Sequence, residues 1–216
     1  MRHRNAAVVT REPATTGIEP PPEAPPSTAR DWRAVLRAVV GEAAAVDVAV
    51  YDAVASSRTP TLDRTMSASS RAADHSVLWF AIAGVLAVTG GRRGRLAARD
   101  GVLAIGLASA TVNLGVKPLA PRRRPLRDEV ALAQDRWVRM PTSTSFPSGH
   151  TTSAFAFATA VGQRIPALWI PLRALALLVG YSRIHTGVHY PGDVVAGAVV
   201  GSTCGWTVAR RAARDR

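Results

Sequence analysis

The sequence predicts an all-α protein, an integral membrane helical bundle of about five to six membrane helices. Of its 216 residues, 47% are hydrophobic, which is enough for one domain with a sizeable core. Five runs of about 12–17 residues carry almost no charge, whereas helices of a soluble bundle need a polar face. The runs are 77–91, 101–116, 151–162, 165–181 (which contains Arg173) and 194–209. One such run is compatible with a buried helix of a soluble domain, but five together favour the membrane.

The other segments are expected to flank this membrane domain. Residues 1–30 are rich in proline and lack a hydrophobic run, which predicts a disordered tail. Residues 31–74 are expected to form amphipathic interfacial helices, followed by a membrane domain over 75–209 and a basic tail over 210–216. Acids within 32–55 favour an interfacial helix, because each costs roughly 2.5–3.5 kcal/mol at the centre of a span. A sixth span remains the alternative, and it would move the N-terminus across the membrane.

The charge distribution predicts which side of the membrane each loop faces. The formal charge is +12, and arginines cluster at 92–99 and at 210–216. With five spans both clusters lie on one side, which the positive-inside rule makes cytoplasmic. The loops 117–150 and 182–193 then face the other side. Loop 117–139 is also basic and contradicts this count unless its arginines have another role.

Three patches contain residue types that suit work on phosphate. The only lysine in the chain, Lys117, ends an apolar run and precedes Arg124-Pro125. A snorkelling lysine beside a basic loop is the alternative explanation of this patch. The segment 147–150, Pro-Ser-Gly-His, opens an apolar helix and offers backbone N–H groups to an anion. An ordinary helix cap with an incidental histidine would give the same pattern.

The third patch lies between 181 and 193. His189 and Asp193 are four residues apart, a spacing that lets the carboxylate hold one imidazole nitrogen while the other attacks. A structural role is expected for His185. Zinc ligation by the histidines and Asp193 is a further alternative, but Lys117, Arg123, Arg124 and Arg183 would repel a metal ion and attract phosphate if the patches converge. The prediction is therefore no metal and no other cofactor.

Together the patches match the spaced motifs KxxxxxxRP, PSGH and SRxxxxxHxxxD, in order and without substitution. In these motifs the chain resembles the type 2 phosphatidic acid phosphatase (PAP2) family, which shares its site with vanadium haloperoxidases and bacterial class A acid phosphatases. The resemblance covers roughly residues 59–208. It implies that an all-helical core brings the three motifs to one pocket at the membrane–water boundary.

The resemblance also implies a role for each motif residue. His189 is expected to be the nucleophile that forms a phosphohistidine, with Asp193 orienting it and His150 protonating the leaving group. The phosphoryl oxygens would be held by Lys117, Arg124, Ser148, the Gly149 amide and Arg183. Phosphoryl transfer depends mainly on positioning and on cations around the oxygens, which this set supplies. The cations beside His189 are also expected to depress its pKa.

The sequence thus predicts a multi-pass cell-membrane phosphatase acting on a lipid phosphate, with an extracytoplasmic site. Candidate substrates are isoprenoid phosphates or diphosphates, phosphatidate and phosphatidylglycerophosphate. Two alternatives remain, a soluble acid phosphatase or haloperoxidase on the same scaffold and a non-catalytic basic membrane protein that binds anionic lipid. Nucleic-acid binding is not expected, since the chain has no aromatic-rich platform or recognition motif. The motifs do not identify the lipid or the oligomeric state.

Overall fold

The structure, a computed structural model, describes residues 32–127 and 132–214, so the predicted tail over 1–30 lies outside it. The described residues are helical and loop segments without strands, which confirms the all-α prediction. The helices are α1 (Trp32–Ser56), α2 (Pro60–Ala72), α3 (Val77–Thr89), α4 (Gly91–Ala110), α5 (Gly149–Arg164), α6 (Trp169–His185) and α7 (Pro191–Arg214).

The chain divides into two compact units, Met1–Ala38 and Val39–Arg216. Of the first unit, the structure describes only 32–38, the opening turns of α1. The second unit holds the rest of α1 and all the motif residues, and the features below belong to it.

The five uncharged runs coincide with α3 to α7. Their outward faces keep large apolar side chains, for example Val88 on α3, Ile170 on α6 and Val199 on α7, which are 84%, 72% and 62% exposed. Exposed apolar surface on several neighbouring helices fits a lipid environment better than water. The helical segments Gly91–Leu119 and Pro166–His185 are long and apolar enough to span a bilayer.

A third span is possible where two helices meet at a bend. Pro60–Ala72 and Asp74–Thr89 pass the same test together, with an angle of 58° between them. Length and composition thus support two or three spans among the described residues. The predicted count of five to six, and the interfacial placement of 31–74, stay predictions.

Helix α4 continues beyond Ala110 through a π-helical turn, Thr111–Val116, into a last helical turn, Lys117–Leu119. Such π-helical turns are frequent at functional sites. This extension places Lys117 at the end of the apolar segment, as the sequence indicated.

Helices α5 and α7 pack closely because glycines on α7 face the α5 backbone. A Cβ added at Gly201 would lie 2.2 Å from the carbonyl oxygen of Thr152, and one at Gly205 would lie 2.4 Å from that of Ala156. Small residues spaced four apart permit this approach between membrane helices. The close packing also joins the helix starts, where the Ser148 amide donates to the Asp193 carbonyl oxygen at 2.9 Å.

Helix α1 contains a buried acid, Asp47, whose partners could not be predicted from the sequence. Asp47 is 8% exposed, accepts a hydrogen bond from the Gly192 amide at 2.6 Å and pairs with Arg122 at 2.6 Å. The cost assigned to a lone acid in lipid therefore does not apply to Asp47, since both oxygens have donors. Glu42 and Asp52 are exposed.

Candidate active site

A cavity of about 460 Å³ brings parts of all three motifs together. Its wall is formed by the bend between α2 and α3, the end of α4, the loop 139–143 and the start of α5. Lys117, Arg124, Gly149, His150 and His189 all line it. Segments more than 70 residues apart in sequence thus meet around one space.

His189 and Asp193 form a buried pair in the turn that leads into α7. Nδ1 of His189 lies 3.3 Å from Oδ2 of Asp193, and the two residues are 2% and 0% exposed. The same carboxylate oxygen accepts hydrogen bonds from the Tyr190 amide at 3.0 Å and from the Ser145 hydroxyl. Because a carboxylate accepts, Nδ1 is the protonated nitrogen and Nε2 keeps its lone pair.

The surroundings of His189 keep its imidazole neutral. The pKa of His189 is lowered to about 4, chiefly by burial and also by the charges of Arg124 and Arg183, while Asp193 opposes the shift. The predicted depression of this pKa agrees in direction, although burial rather than the cations is its main cause. A neutral imidazole is the nucleophilic form.

Arg124 lies directly against His189. Its Nη1 is 3.1 Å from Nε2 of His189 and donates to the Val188 carbonyl oxygen at 2.7 Å. Its Nε donates to the Ser143 carbonyl oxygen at 2.9 Å, and Nζ of Lys117 donates to the Ser143 hydroxyl at 2.9 Å. Ser143 therefore holds both cations of the first motif at the cavity.

The second motif forms the beginning of α5. Ser148 is fully buried and caps this helix, accepting a hydrogen bond from the Thr151 amide at 3.4 Å. Gly149 and His150 follow on the cavity wall, at a helix N-terminus whose free N–H groups suit an anion. Nε2 of His150 lies 2.9 Å from Oδ1 of Asp74 in the bend between α2 and α3.

Arg183 is 1% exposed and lies behind this wall on α6. Its Nη1 donates to the Ser70 hydroxyl and lies 3.9 Å from Oδ1 of Asp74. Within the part of the chain that the structure describes, its Nε has no hydrogen-bond partner. A buried guanidinium with an unused donor is suited to an anionic ligand.

Two residues considered at the sequence level lie elsewhere. Arg123 is exposed and does not line the cavity, unlike its neighbour Arg124. His185 is fully buried in a separate cluster, where Nε2 lies 2.8 Å from Oδ1 of Asp63 and Asp63 also pairs with Arg136 at 2.7 Å. The location of His185 agrees with the structural role expected for it.

Five residues at or behind the site were not identified from the sequence. They are Asp47, Asp74, Arg122, Ser143 and Ser145. None is a fixed residue of the three motifs, although Arg122 occupies a variable position of the first, and their contacts join segments distant in sequence. A weak signal existed for Asp74, a lone acid just before an apolar run.

Comparisons with known proteins find similar sequences and folds. The family model of the PAP2 superfamily matches residues 97–216. A decaprenylphosphoryl-5-phosphoribose phosphatase of Mycobacterium tuberculosis is 35% identical over 175 residues, covering 78% of this chain and 89% of that protein.

Two solved structures share the fold. The crystal structure of Aquifex aeolicus LpxE superposes with a TM-score of 0.60 and 28% identity, covering 76% of this chain and 94% of that one. A transmembrane PAP2-type phosphatidylglycerolphosphate phosphatase from Bacillus subtilis gives a TM-score of 0.63 at 23% identity, covering 86% and 94%. The second likeness concerns the fold alone.

Proposed function

We propose, from the premise that this chain belongs to the PAP2 superfamily, that it is a membrane phosphatase which cleaves a lipid phosphate through a phosphohistidine. One observation carries the mechanism. The neutral imidazole of His189 is held by Asp193 at a cavity lined by Lys117 and Arg124. Such a reaction needs a nucleophile, a carboxylate that orients it and cations that bind the phosphoryl oxygens.

In the first step Nε2 of His189 attacks phosphorus, and the bond from phosphorus to the leaving oxygen breaks. His150 gives its proton to that oxygen, so the lipid leaves as an alcohol or, from a diphosphate, as a phosphate. Asp193 stabilises the positive charge that develops on the His189 ring. Arg124, which donates to Nε2 in the ligand-free site, moves this N–H to a phosphoryl oxygen when substrate binds.

In the second step water attacks the phosphohistidine. His150, now neutral, takes a proton from the water, and the bond from phosphorus to Nε2 breaks to release inorganic phosphate. Throughout, the phosphoryl oxygens are held by Lys117, Arg124, Ser148, the Gly149 amide and Arg183. This scheme uses no metal ion, because side-chain cations and backbone N–H groups balance the phosphoryl charge.

The size and lining of the cavity support a substrate with a hydroxylated group next to the phosphate. Beyond the cations the wall combines neutral polar side chains, Ser76, Ser109, Asn113 and Thr142, with the apolar residues Ala108, Val112, Met140 and Pro141. The polar groups suit the hydroxyls of a sugar, and the apolar residues suit the first part of a prenyl or acyl chain. The mycobacterial relative is named for a prenyl-linked phosphoribose. The favoured substrate is therefore a polyprenyl-linked sugar phosphate, with simple lipid phosphates as weaker candidates.

The protein is further proposed to be a multi-pass protein of the cell membrane with its site on the extracytoplasmic face. The arginine clusters at 92–99 and 210–216 support this orientation under the positive-inside rule. The basic loop that contradicted the count has a separate role in this proposal, because Arg124 serves the substrate and Arg122 holds Asp193.

Phosphate release by the purified protein in detergent tests the proposal. The panel comprises a polyprenyl-linked sugar phosphate, a polyprenyl diphosphate, phosphatidate and phosphatidylglycerophosphate. We expect turnover that resists EDTA, is inhibited by vanadate and is fastest on the sugar phosphate. His189→Ala is expected to abolish both turnover and an acid-labile phosphoenzyme in a protein that still unfolds cooperatively on heating. Turnover that survives in His189→Ala, or that EDTA removes, would overturn the mechanism.

A further inference from the structure

We propose that Asp74 is a positioning residue that holds the leaving-group acid, His150, and the phosphate-binding cation, Arg183, in one network. The inference rests on the proposed function, since it assigns Asp74 a part in that reaction. Asp74 lies outside the three motifs, in the bend between α2 and α3.

The geometry places one carboxylate oxygen between the two functional groups. Oδ1 of Asp74 is 2.9 Å from Nε2 of His150 and 3.9 Å from Nη1 of Arg183. The same Nη1 also donates to Ser70 on α2, so the end of α2 is joined to α6. Asp74 itself lines the cavity, and its side chain is 44% exposed. Its carboxylate therefore lies at the edge of the space where the substrate would bind.

The backbone conformation next to Asp74 supports a functional role for this residue. His75 and Ser76 have φ values of 52° and 61°, in the left-handed region that residues other than glycine rarely adopt. Such a conformation is strained and persists only where the surroundings impose it. Here the strained turn follows directly after Asp74, and the bend sets its carboxylate against α5 and α6.

The contact also determines which nitrogen of His150 can exchange a proton with substrate. A carboxylate oxygen accepts hydrogen bonds, so Nε2 of His150 carries a proton toward Asp74. The remaining nitrogen, Nδ1, then carries the second proton of the His150 imidazolium, gives it to the leaving oxygen and afterwards takes a proton from water. Asp74 acts on His150 as Asp193 acts on His189, fixing the tautomer and stabilising the imidazolium.

The test is Asp74→Asn, with the purified full-length protein and two substrates whose leaving groups differ. An alkyl phosphate needs protonation of its leaving oxygen, whereas an aryl phosphate with an acidic phenol does not. Because kcat/KM reports the step in which the leaving group departs, we expect it to fall about 10- to 100-fold on the alkyl phosphate. This is at or below the lower end of the roughly 10²- to 10⁴-fold contribution of a general acid, since His150 itself remains. On the aryl phosphate we expect the fall to be much smaller. Asp135→Asn, which removes the exposed acid paired with Arg64, is the matched control and should leave both values unchanged.

A double-mutant cycle separates positioning from general damage. In a His150→Ala background, Asp74→Asn should cause little further loss on the alkyl phosphate, because the group it positions is already absent. Equal losses on both substrates, or full additivity with His150→Ala, would show that Asp74 has only a structural role and would overturn the inference. Wild-type turnover and its loss in His189→Ala report on the proposed function separately. An Asp74→Asn enzyme with wild-type rates on both substrates would therefore overturn this inference alone.

Discussion

Arg122 donates a hydrogen bond from Nη1 to Oδ1 of Asp193 at 3.0 Å, so the carboxylate that faces His189 is held from its other side by a cation. The same Nη1 pairs with Asp47 at 2.6 Å, and the guanidinium lies 4.1 Å from the ring centre of Tyr190. Arg122 occupies a variable position of the first motif. It ties α1 and the loop after α4 to the beginning of α7.

Replacing Arg122 should therefore slow catalysis. In Arg122→Ala, Asp193 keeps its bonds to Ser145 and to the Tyr190 amide but loses a charged donor. Hydrogen bonds to charged groups contribute about 1.5–3 kcal/mol, so we expect kcat to fall about 10- to 100-fold. Steady-state phosphate release measures this effect.

Arg123→Ala is the matched control, because it removes the same charge one residue away from an exposed side chain. It should keep the wild-type kcat. Equal effects of the two substitutions would indicate that the loop contributes only its total charge, contrary to the specific contact of Arg122 with Asp193.

The titration of His189 provides a second prediction. Since burial and the neighbouring arginines lower its pKa to about 4, the ring should stay neutral throughout pH 5–7. In the unfolded chain the value returns to about 6.5, so the unfolded state binds more protons between these values. The contribution of His189 to stability is thus complete above about pH 6.5 and is lost as the pH falls toward 4.

Imidazole ¹⁵N chemical shifts of the ligand-free protein in micelles measure this pKa without the ionisation of a substrate. His189→Gln identifies the signal by removing it. A midpoint near 6.5 would contradict the prediction and would mean that the site is hydrated in a way that its burial excludes.

The close approach of α5 and α7 gives a third prediction. In Gly201→Ala the new methyl carbon would lie 2.2 Å from the Thr152 carbonyl oxygen, so the helices must move apart. We expect a loss of about 1–3 kcal/mol of stability, typical of overpacking, and reduced activity because Ser148 would shift from Asp193. Thermal unfolding in detergent and phosphate release measure the two effects.

Gly106→Ala on α4 is the control, since nothing lies within 4 Å of its added Cβ. There alanine should stabilise the helix by about 0.5–1 kcal/mol and leave activity unchanged. If both variants unfold at the same temperature, the glycines of α7 do not set the helix spacing.

The sequence predicted those parts of the fold that depend on patterns among neighbouring residues, such as an uninterrupted apolar run. The uncharged runs anticipated α3 to α7 because the apolar character of a membrane helix is continuous along the chain. The motif residues could be picked out because lysine, histidine and a lone acid stand out in a chain rich in alanine and arginine. Their expected meeting at one pocket came from the resemblance. In the structure Lys117, Arg124, Gly149, His150 and His189 line one cavity, whereas Ser148, Arg183 and Asp193 do not line it.

The residues that support the site could not be predicted in the same way. Asp47 reads as an unfavourable acid within a long apolar helix, and only the tertiary structure shows its pairing with Arg122. Asp74 meets His150 across 76 positions of sequence. Such contacts depend on how the helices pack, which hydrophobic periodicity does not specify.

The buried His185 and the half-buried His150, on two helices that flank the site, should respond oppositely to replacement. His185 bonds to Asp63 inside the cluster with Arg136, away from the cavity. His185→Ala should therefore lower the stability by about 1–3 kcal/mol, the cost of leaving a buried polar partner with fewer bonds, and spare kcat. His150→Ala should leave thermal unfolding near that of the wild type and reduce kcat strongly, because the ring lies on the cavity wall with a side chain 21% exposed. Unfolding midpoints and kcat per folded molecule, measured on the same preparations, distinguish the two.

If His185→Ala removed turnover without lowering the unfolding midpoint, the chemistry would have to include the cluster of Asp63 and Arg136, and the assignment of His150 would need revision.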